Sequence, residues 1–389
     1  MRILIYKWRA YNYRDIYETF LAMGHTLDVM EQKLKSYDED AEFEARLTHI
    51  LKETSYDFVF TVNYFAVISN VCERCKVKYV SWSSDNPLIS MFHKSVFHDC
   101  NYIFLFDKRN FLEFKARGVP HVYYLPLAVD TVRMDHLLAE ADDLRLYQNE
   151  VSFVGSLYER NTYDKIKNTL PDYLRGYLDA VMQAQMSVSG ANIIEEMLTP
   201  DILEAIGEHF SLEKSQDSFS DLGLIFSTTV LGFKIAAMQR TNGLLALSKH
   251  VPVTIYTNSN TKNLLRVTYR GSVDYWTQMP KVFHMSKINL NFTIPNIYTG
   301  LPLRMWDILG AGGFLMTNYQ AELPDFFVEN KDLVCFDGEK DLVEKTLYYL
   351  SHEEERKQIA RNGHEKVKKF HTYQIRLKEI IETIENSRT

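Results

Sequence analysis

The chain has 389 residues, 46% of them hydrophobic and 24% charged, with a formal net charge of -7. That length exceeds one usual core and predicts two domains, and the composition is that of a soluble globular protein. The acidic balance argues against a general nucleic-acid binder; no apolar run reaches the roughly 20 residues a bilayer requires, and MRILIYKWRA reads as a buried strand followed by charge, not as a signal peptide, so a cytoplasmic location is expected.

In chain order, RILIY is a continuous apolar strand, RDIYETFLAMGH a helix ended by Gly24, and TLDVM a second strand. EFEARLTHILKETS reads as a helix, and DFVFTV, KYVSW, NYIFLF and HVYYLPLA as strands. This alternation predicts a parallel sheet with covering helices. The charged segment DTVRMDHLLAEADDLRL lies between two halves, which places a domain boundary near Gln148. A second sheet begins at VSFVGS, followed by a helix-rich insertion at about 165–225. The alternation resumes with GLLALSKH, VPVTIYT, INLNFT, FLMTN and LVCFD, and the last 45 or so residues are helical. The expected division is 1–148, 149–375 with the insertion, and a terminal helix over 376–389.

Residues 286–317, SKINLNFTIPNIYTGLPLRMWDILGAGGFLMT, are the most informative stretch. They read as a strand, a loop, a short helix opening at Pro302, a Gly312-Gly313 stop and another strand. A helix start exposes unpaired amides and the positive end of its dipole, so anions bind there. Thr299 or Gly300 is the expected cap, with Pro302 in the first turn. Arg304 adds a planar fork suited to phosphate oxygens, and Asp307, three residues on, shares its face and can reach a ribose diol. A plain i,i+3 surface pair is the alternative. The segment therefore points to a nucleotide diphosphate.

In doubly wound sheets ligands lie off the carboxyl ends of strands, so residues just after strands are the next candidates. Gly155 and Ser156 follow SFV, where glycine lets backbone approach a phosphate or simply forms a tight turn. Tyr256 and Thr257 follow VTI and are placed toward a nucleobase. Asn289 and Asn291 give one polar face to an otherwise apolar strand, which needs buried partners or a solvated edge. Arg240, before NGLLALSK, is either a second phosphate contact or a surface arginine.

Four cysteines do not make a disulfide framework. Cys72 and Cys75, with His93, His98 and Cys100 following, have donor types that suit zinc, but there is no second CxxC, and reduced buried thiols are the expectation.

The segment around Thr299, Gly300, Arg304, Asp307, Gly312 and Gly313 resembles the C-terminal half of the spore maturation protein CgeB-like glycosyltransferases, which are similar to GT-B glycosyltransferases of the large retaining family. EVSFVGSLYERN, VPVTIYT, SKINLN and the tail YYLSHEEERKQIARNGHEKVKKFHTYQIRLKEII extend the resemblance, as do VSWSSDNP and YYLPLAVD in the N-terminal half. The likeness covers most of the chain except the stretch near 162–230. It implies a GT-B fold, with two Rossmann-like doubly wound α/β domains facing a cleft, a helical insertion in the second and a last helix crossing back to the first. It further implies transfer of a sugar from a nucleotide diphosphate donor, UDP-sugar above all, to a hydroxyl of a glycan, protein or small molecule. The retaining family usually has two glutamates eight positions apart; here those positions hold Thr299 and Asp307, so the donor contacts of the first glutamate do not carry over.

On this reading the N-terminal half holds the acceptor. Lys7, Trp8, Arg9 and Asn12 follow the first strand, and Asn63 and Tyr64 follow DFVFTV. In SWSSDNP, Trp82 and Asp85 precede Pro87, which exposes the turn. Asp85 is the candidate catalytic carboxylate, accepting the acceptor's proton in an inverting reaction or orienting hydroxyls in a retaining one. An Asx turn would explain the same residues. Asp38-Glu39-Asp40 spells the DxD string of metal-dependent GT-A enzymes but sits at a charged helix entry, so no metal, no cofactor and activity that survives EDTA are expected. Two rivals stand beside transfer: a GT-B sugar-nucleotide epimerase and a non-catalytic nucleotide-sugar-binding or coat protein. The sequence leaves the oligomeric state open.

Overall fold

The computed structural model describes residues 1–212 and 215–387. The chain divides into two compact units. The first comprises Met1–Ala128, a segment ending at Asp221 and another beginning at Thr372; the second comprises the intervening residues.

In the first unit the order is β1 (Arg2–Lys7), α1 (Tyr13–Ala22), β2 (Thr26–Glu31), α2 (Ala41–Glu53), β3 (Phe58–Val62) and α3 (Ala66–Cys75). Then come β4 (Lys78–Trp82), β5 (Asn101–Leu105), α4 (Lys108–Ala116) and β6 (Val122–Tyr124). All six strands pair in parallel in the order β2-β1-β3-β4-β5-β6. The continuous apolar runs are the reason, because such a sheet is covered on both faces: Ile3 to Tyr6 and Phe58 to Val62 are buried throughout. Asp40 caps α2 by accepting from the amides of Phe43 and Lys35. The DxD string is therefore a helix entry, as its charge pattern indicated.

The second unit runs α5 (Thr131–Glu140), β7 (Asn149–Val154), α6 (Thr162–Ile166), α7 (Asp172–Met186), α8 (Ile194–Met197), α9 (Pro200–Gly207), α10 (Leu222–Ile225) and α11 (Phe233–Ser248). It continues through β8 (Val253–Tyr256), β9 (Thr268–Tyr269), α12 (Met279–Met285), β10 (Ser286–Asn291), α13 (Leu303–Gly310) and β11 (Leu315–Asn318). It closes with α14 (Leu323–Phe326), β12 (Val334–Phe336), α15 (Gly338–Ser351) and α16 (Glu353–Phe370). Its parallel sheet has the order β12-β11-β10-β7-β8-β9, so strand order reverses between β10 and β7.

Three readings are revised here. Residues 129–148 go with the second unit, because Val129 packs on Gly310 and α5 on α12, so the first unit ends at Ala128, short of Gln148. Residues 215–221 go with the first, where Phe219 N–H donates to Phe92 O, Lys94 N–H to Asp217 O, and Lys94 pairs with Asp217 at 2.7 Å. Finally, α10, a wide π turn at Phe226–Gly232 and α11 form one helical run, Leu222–Ser248, of 27 residues. By length and composition it is apolar enough to span a bilayer, although Lys234 and Arg240 interrupt its apolar sequence; half of its most apolar window is buried inside the protein, where it packs on α7 and α15. Core packing thus accounts for the buried half of that apolarity.

The last helix, α17 (Tyr373–Asn386), belongs with the first unit. It buries Tyr373, Leu377, Ile380 and Ile384 at helical spacing, packs on α1, and sets Tyr373 edge-on to Trp82 at 5.9 Å.

Candidate functional site

The crevice beside a reversal of strand order is where an open α/β sheet binds ligands. In the second unit that crevice lies between the residues after β7 and those after β10. Arg240 of α11 spans it: Nη1 donates to Ser156 O at 2.6 Å and Nη2 to Phe292 O at 2.8 Å. The guanidinium also lies 4.8 Å from the centre of the Tyr158 ring, which stacks in turn on Phe233. No acidic group among the described residues pairs with Arg240, and its buried Nε has no partner. Burial lowers its pKa, and the charge of Arg304 lowers it further, against a raising contribution from Tyr158. Arg304 thus lies near enough for its charge to act on Arg240, and one buried carboxylate holds Arg304.

That carboxylate is Asp307. It is buried, donates nothing, and accepts from Tyr275 Oη at 2.8 Å through Oδ1 and from Arg304 Nη1 at 3.3 Å through Oδ2. Desolvation raises its pKa to about 6, with Arg304, Tyr275 and Arg133 opposing in that order. Arg304 rests on Phe283 at 5.4 Å and also contacts the Met279 sulfur. In this arrangement Asp307 offers no open oxygen to a ribose and instead orients Arg304.

Helix α13 that carries the pair starts at Leu303. Pro302 occupies the cap position with extended backbone and no side-chain cap bond, so neither Thr299 nor Gly300 caps it. The Thr299 hydroxyl is engaged by Glu322 at 2.6 Å, and Gly300 is buried in the loop before the helix. The glycine stop is as read: Gly312 takes φ +73, its amide bonds Leu309 O, and the Gly313 amide bonds Ile308 O.

The other donor-side candidates are mostly internal. Asn289 is fully buried: Oδ1 accepts from Ser152, and Nδ2 donates to Phe283 O and Phe314 O. Asn291 donates to Thr293 and Thr317, and β10 is a central strand, so their polar face is a buried network and no solvated edge. Tyr256 is buried with its hydroxyl near Asn149, and Thr257 accepts from the Ser259 amide. Gly155 donates its amide to Tyr256 O, and Ser156 Oγ accepts from the Tyr158 amide. Arg133 and Tyr275 escaped the sequence reading. The first lies in what looked like a charged linker, the second in a segment without periodic signal.

In the first unit Trp8 follows β1 and donates from Nε1 to Val62 O at 2.6 Å, across the equivalent reversal between β1 and β3. Asn63, with φ 65, supports the Asp85 turn: its Oδ1 accepts from the amides of Ser84 and Asp85, and its Nδ2 donates to Asp85 Oδ2 at 2.7 Å. Asp85 itself is exposed at the surface, yet the protein around its carboxyl raises its pKa, with the Asn63 amide opposing. Asn63 is buried and serves as a scaffold, which removes it from direct acceptor contact. Tyr64 and Trp82 are corrected likewise: both are core residues, Tyr64 bonded to Ser95 and Trp82 donating to Leu125 O. Asn12 is buried at the start of α1 with Oδ1 unpartnered; Lys7 pairs with Glu31, and Arg9 is exposed.

The four cysteines are free thiols. Cys72 is buried in α3, so the CxxC pair is no ligand set; the donors that do converge are Glu73, His98 and Cys100, within 4.8 Å of one another.

Residues 237–382 match the family model described as glycosyl transferase-like. No curated protein sequence matches the chain. Among solved structures it is similar to HepE of Anabaena in complex with UDP, at 9% identity and TM-score 0.54 over 99% of each chain. It is also similar to sucrose-phosphate synthase of Thermosynechococcus elongatus, at 9% identity and TM-score 0.59 over 100% of each chain. A glycosyltransferase of Rickettsia africae aligns at 10% identity and TM-score 0.52, over 99% of this chain and 98% of that one. At such identities the likeness speaks to the fold, and that fold is GT-B.

Proposed function

We propose that the chain transfers a sugar from a UDP-sugar to a hydroxyl acceptor without a metal ion. The observation that carries this is Arg240, fixed across the strand-order reversal by Ser156 O and Phe292 O, near enough to Arg304 to feel its charge, and paired with no carboxylate among the described residues. Two fixed guanidinium groups on one crevice suit a diphosphate, whose charge grows as it departs. The glycosyl transferase-like match over 237–382 and the UDP bound by HepE support the same reading.

In the reaction the acceptor oxygen forms a bond to the anomeric carbon, the bond from that carbon to the β-phosphate oxygen breaks, and UDP leaves with the electron pair. Arg240 and Arg304 hold the leaving group, and Asp307 with Tyr275 holds Arg304. Asp85, set by Asn63, is the acceptor-side carboxylate; its raised pKa favours taking a proton.

Thermal unfolding with UDP-, GDP-, TDP- and CMP-sugars tests the donor. Binding at 100 times Kd stabilises by about 2.7 kcal/mol, so a clear rise in Tm with UDP or UDP-glucose is expected, unchanged by EDTA. Arg240→Ala and Arg304→Ala each weaken it about tenfold or more, the size of a lost charged hydrogen bond. No shift with any nucleotide sugar sinks the reading. Conversion of the donor without an acceptor would identify an epimerase instead.

A further inference from the structure

A second cavity in the same unit has a different chemistry. It measures about 470 Å³ and opens at the carboxyl ends of β10, β11 and β12, between α7, α11 and α15. That volume lies within the roughly 300–1,000 Å³ of small-molecule sites. Its floor is aromatic: Phe292 and Phe336 meet edge to face at 5.4 Å. Gly243 permits this, since a Cβ there would stand 2.8 Å from the Phe292 ring.

The walls carry amides. Gln239 and Asn242 lie three apart on α11 and line the cavity from that helix, while Gln183 faces them from α7. None of the three side chains hydrogen-bonds a described residue. Among the described residues, no Lys, Arg or His lines the cavity. Asp337 and Glu339 stand at its rim, and Ser189 of the insertion donates to Asp337 at 2.9 Å, tying the loop after α7 to the end of β12. The start of α15 already carries Glu339 and Asp341 against its dipole, which disfavours an anion.

An apolar floor, open amide donors and acceptors and the absence of cations fit a ligand with hydroxyls on its edges and C–H groups on its face. We propose that this cavity binds an uncharged saccharide, separately from the nucleotide. The inference does not depend on the donor assignment: Phe292 is shared with the arginine crevice, but its ring floors this cavity while its carbonyl oxygen holds Arg240.

Saturation-transfer NMR on the whole protein tests it, with glucose, maltose and cellobiose as probes and glucuronic acid as the charged comparison. At least one neutral sugar is expected to receive saturation, glucuronic acid less, and saturating UDP should leave the signal in place. The double variant Gln239→Ala/Asn242→Ala should weaken that affinity about tenfold while keeping the thermal unfolding profile. Should that variant fold poorly, Gln183→Ala on the opposite wall is expected to weaken binding severalfold by itself. Saturation of none of the three neutral sugars overturns the proposal. So does an unchanged signal in the folded variant. Displacement by UDP would place the sugar in the arginine crevice and overturn it as well, while leaving the donor reading intact.

Discussion

Asp307 is a buried carboxyl whose ionisation the fold resists and the site requires. Its pKa rises from 3.8 to about 6 chiefly through desolvation, with Arg304, Tyr275 and Arg133 recovering part of the cost. A raised acid pKa means the folded state holds the proton more tightly than the unfolded one. The associated stability is therefore complete below pH 4 and lost as pH rises through 6, a difference on the order of 3 kcal/mol. Asp307→Asn carries no charge to bury. Its Tm relative to the parent should increase between pH 4 and pH 7, while its affinity for UDP at pH 7 falls because Arg304 loses its anchor. A Tm difference that is flat across that pH series would show that Asp307 is ionised without penalty. The pairing of Arg304 with Asp307 was legible from their spacing of three on a helix. The inward aim of the carboxylate was not, because Tyr275 and Arg133 reach it from distant segments that carry no periodic pattern. Asn63 shows the same limit: its place after a strand was readable, but its left-handed backbone and its bonds to the Asp85 turn are tertiary facts.

At the scale of elements, the apolar runs were enough to give every strand but the two-residue β9, whose Thr268 and Tyr269 are exposed, and the fold follows from them. What the pattern could not give was how closely elements approach. Gly363 lies within α16 where a Cβ would stand 2.3 Å from Asp332 O and 2.8 Å from Leu309, so this helix meets α13 and the turn before β12 only because the residue is glycine. Gly176, inside α7, has nothing within 4 Å of the same position. The two residues look alike in sequence and predict opposite outcomes. Gly363→Ala must push against backbone and should cost about 1–3 kcal/mol or more, as overpacking does. Gly176→Ala, exposed in a helix interior, should stabilise by about 0.5–1 kcal/mol. Chemical denaturation of the two variants checks both signs; equal effects would mean that α16 can shift away from Asp332 at no cost. The start of α13 teaches a related point. Thr299 has the chemistry of a cap, but Glu322, from the turn after β11, competes for its hydroxyl and leaves Pro302 at the cap position.

For the whole molecule, the consequence is that the first unit is discontinuous in sequence. The return of the last helix was legible through the family resemblance, whereas the return of residues 215–221 was not, since it rests on backbone bonds to Phe92 and Lys94 that no side-chain pattern announces. The last helix supplies core: Tyr373, Leu377, Ile380 and Ile384 are each at most 1% exposed, and two bonds tie it down, from Lys78 to its Ile384 O and from its Arg376 to Pro126 O. Burying four such side chains contributes roughly 1.5–3 kcal/mol each, or about 6–12 kcal/mol together, against the 5–15 kcal/mol that holds a typical domain. A chain ending at residue 371 should therefore lose the first unit selectively. Amide exchange resolved by segment is the measurement: β1, β3, β4 and β5 should lose protection while β7, β10 and β11 keep theirs, because the second unit retains its own core around Val151, Ile255, Leu290 and Met316. If the first-unit strands stay protected after the truncation, α17 is a surface attachment and the unit is stable on residues 1–128 and 215–221. If both units lose protection together, they form one cooperative system, and the division into two separately folded halves fails as a description of stability.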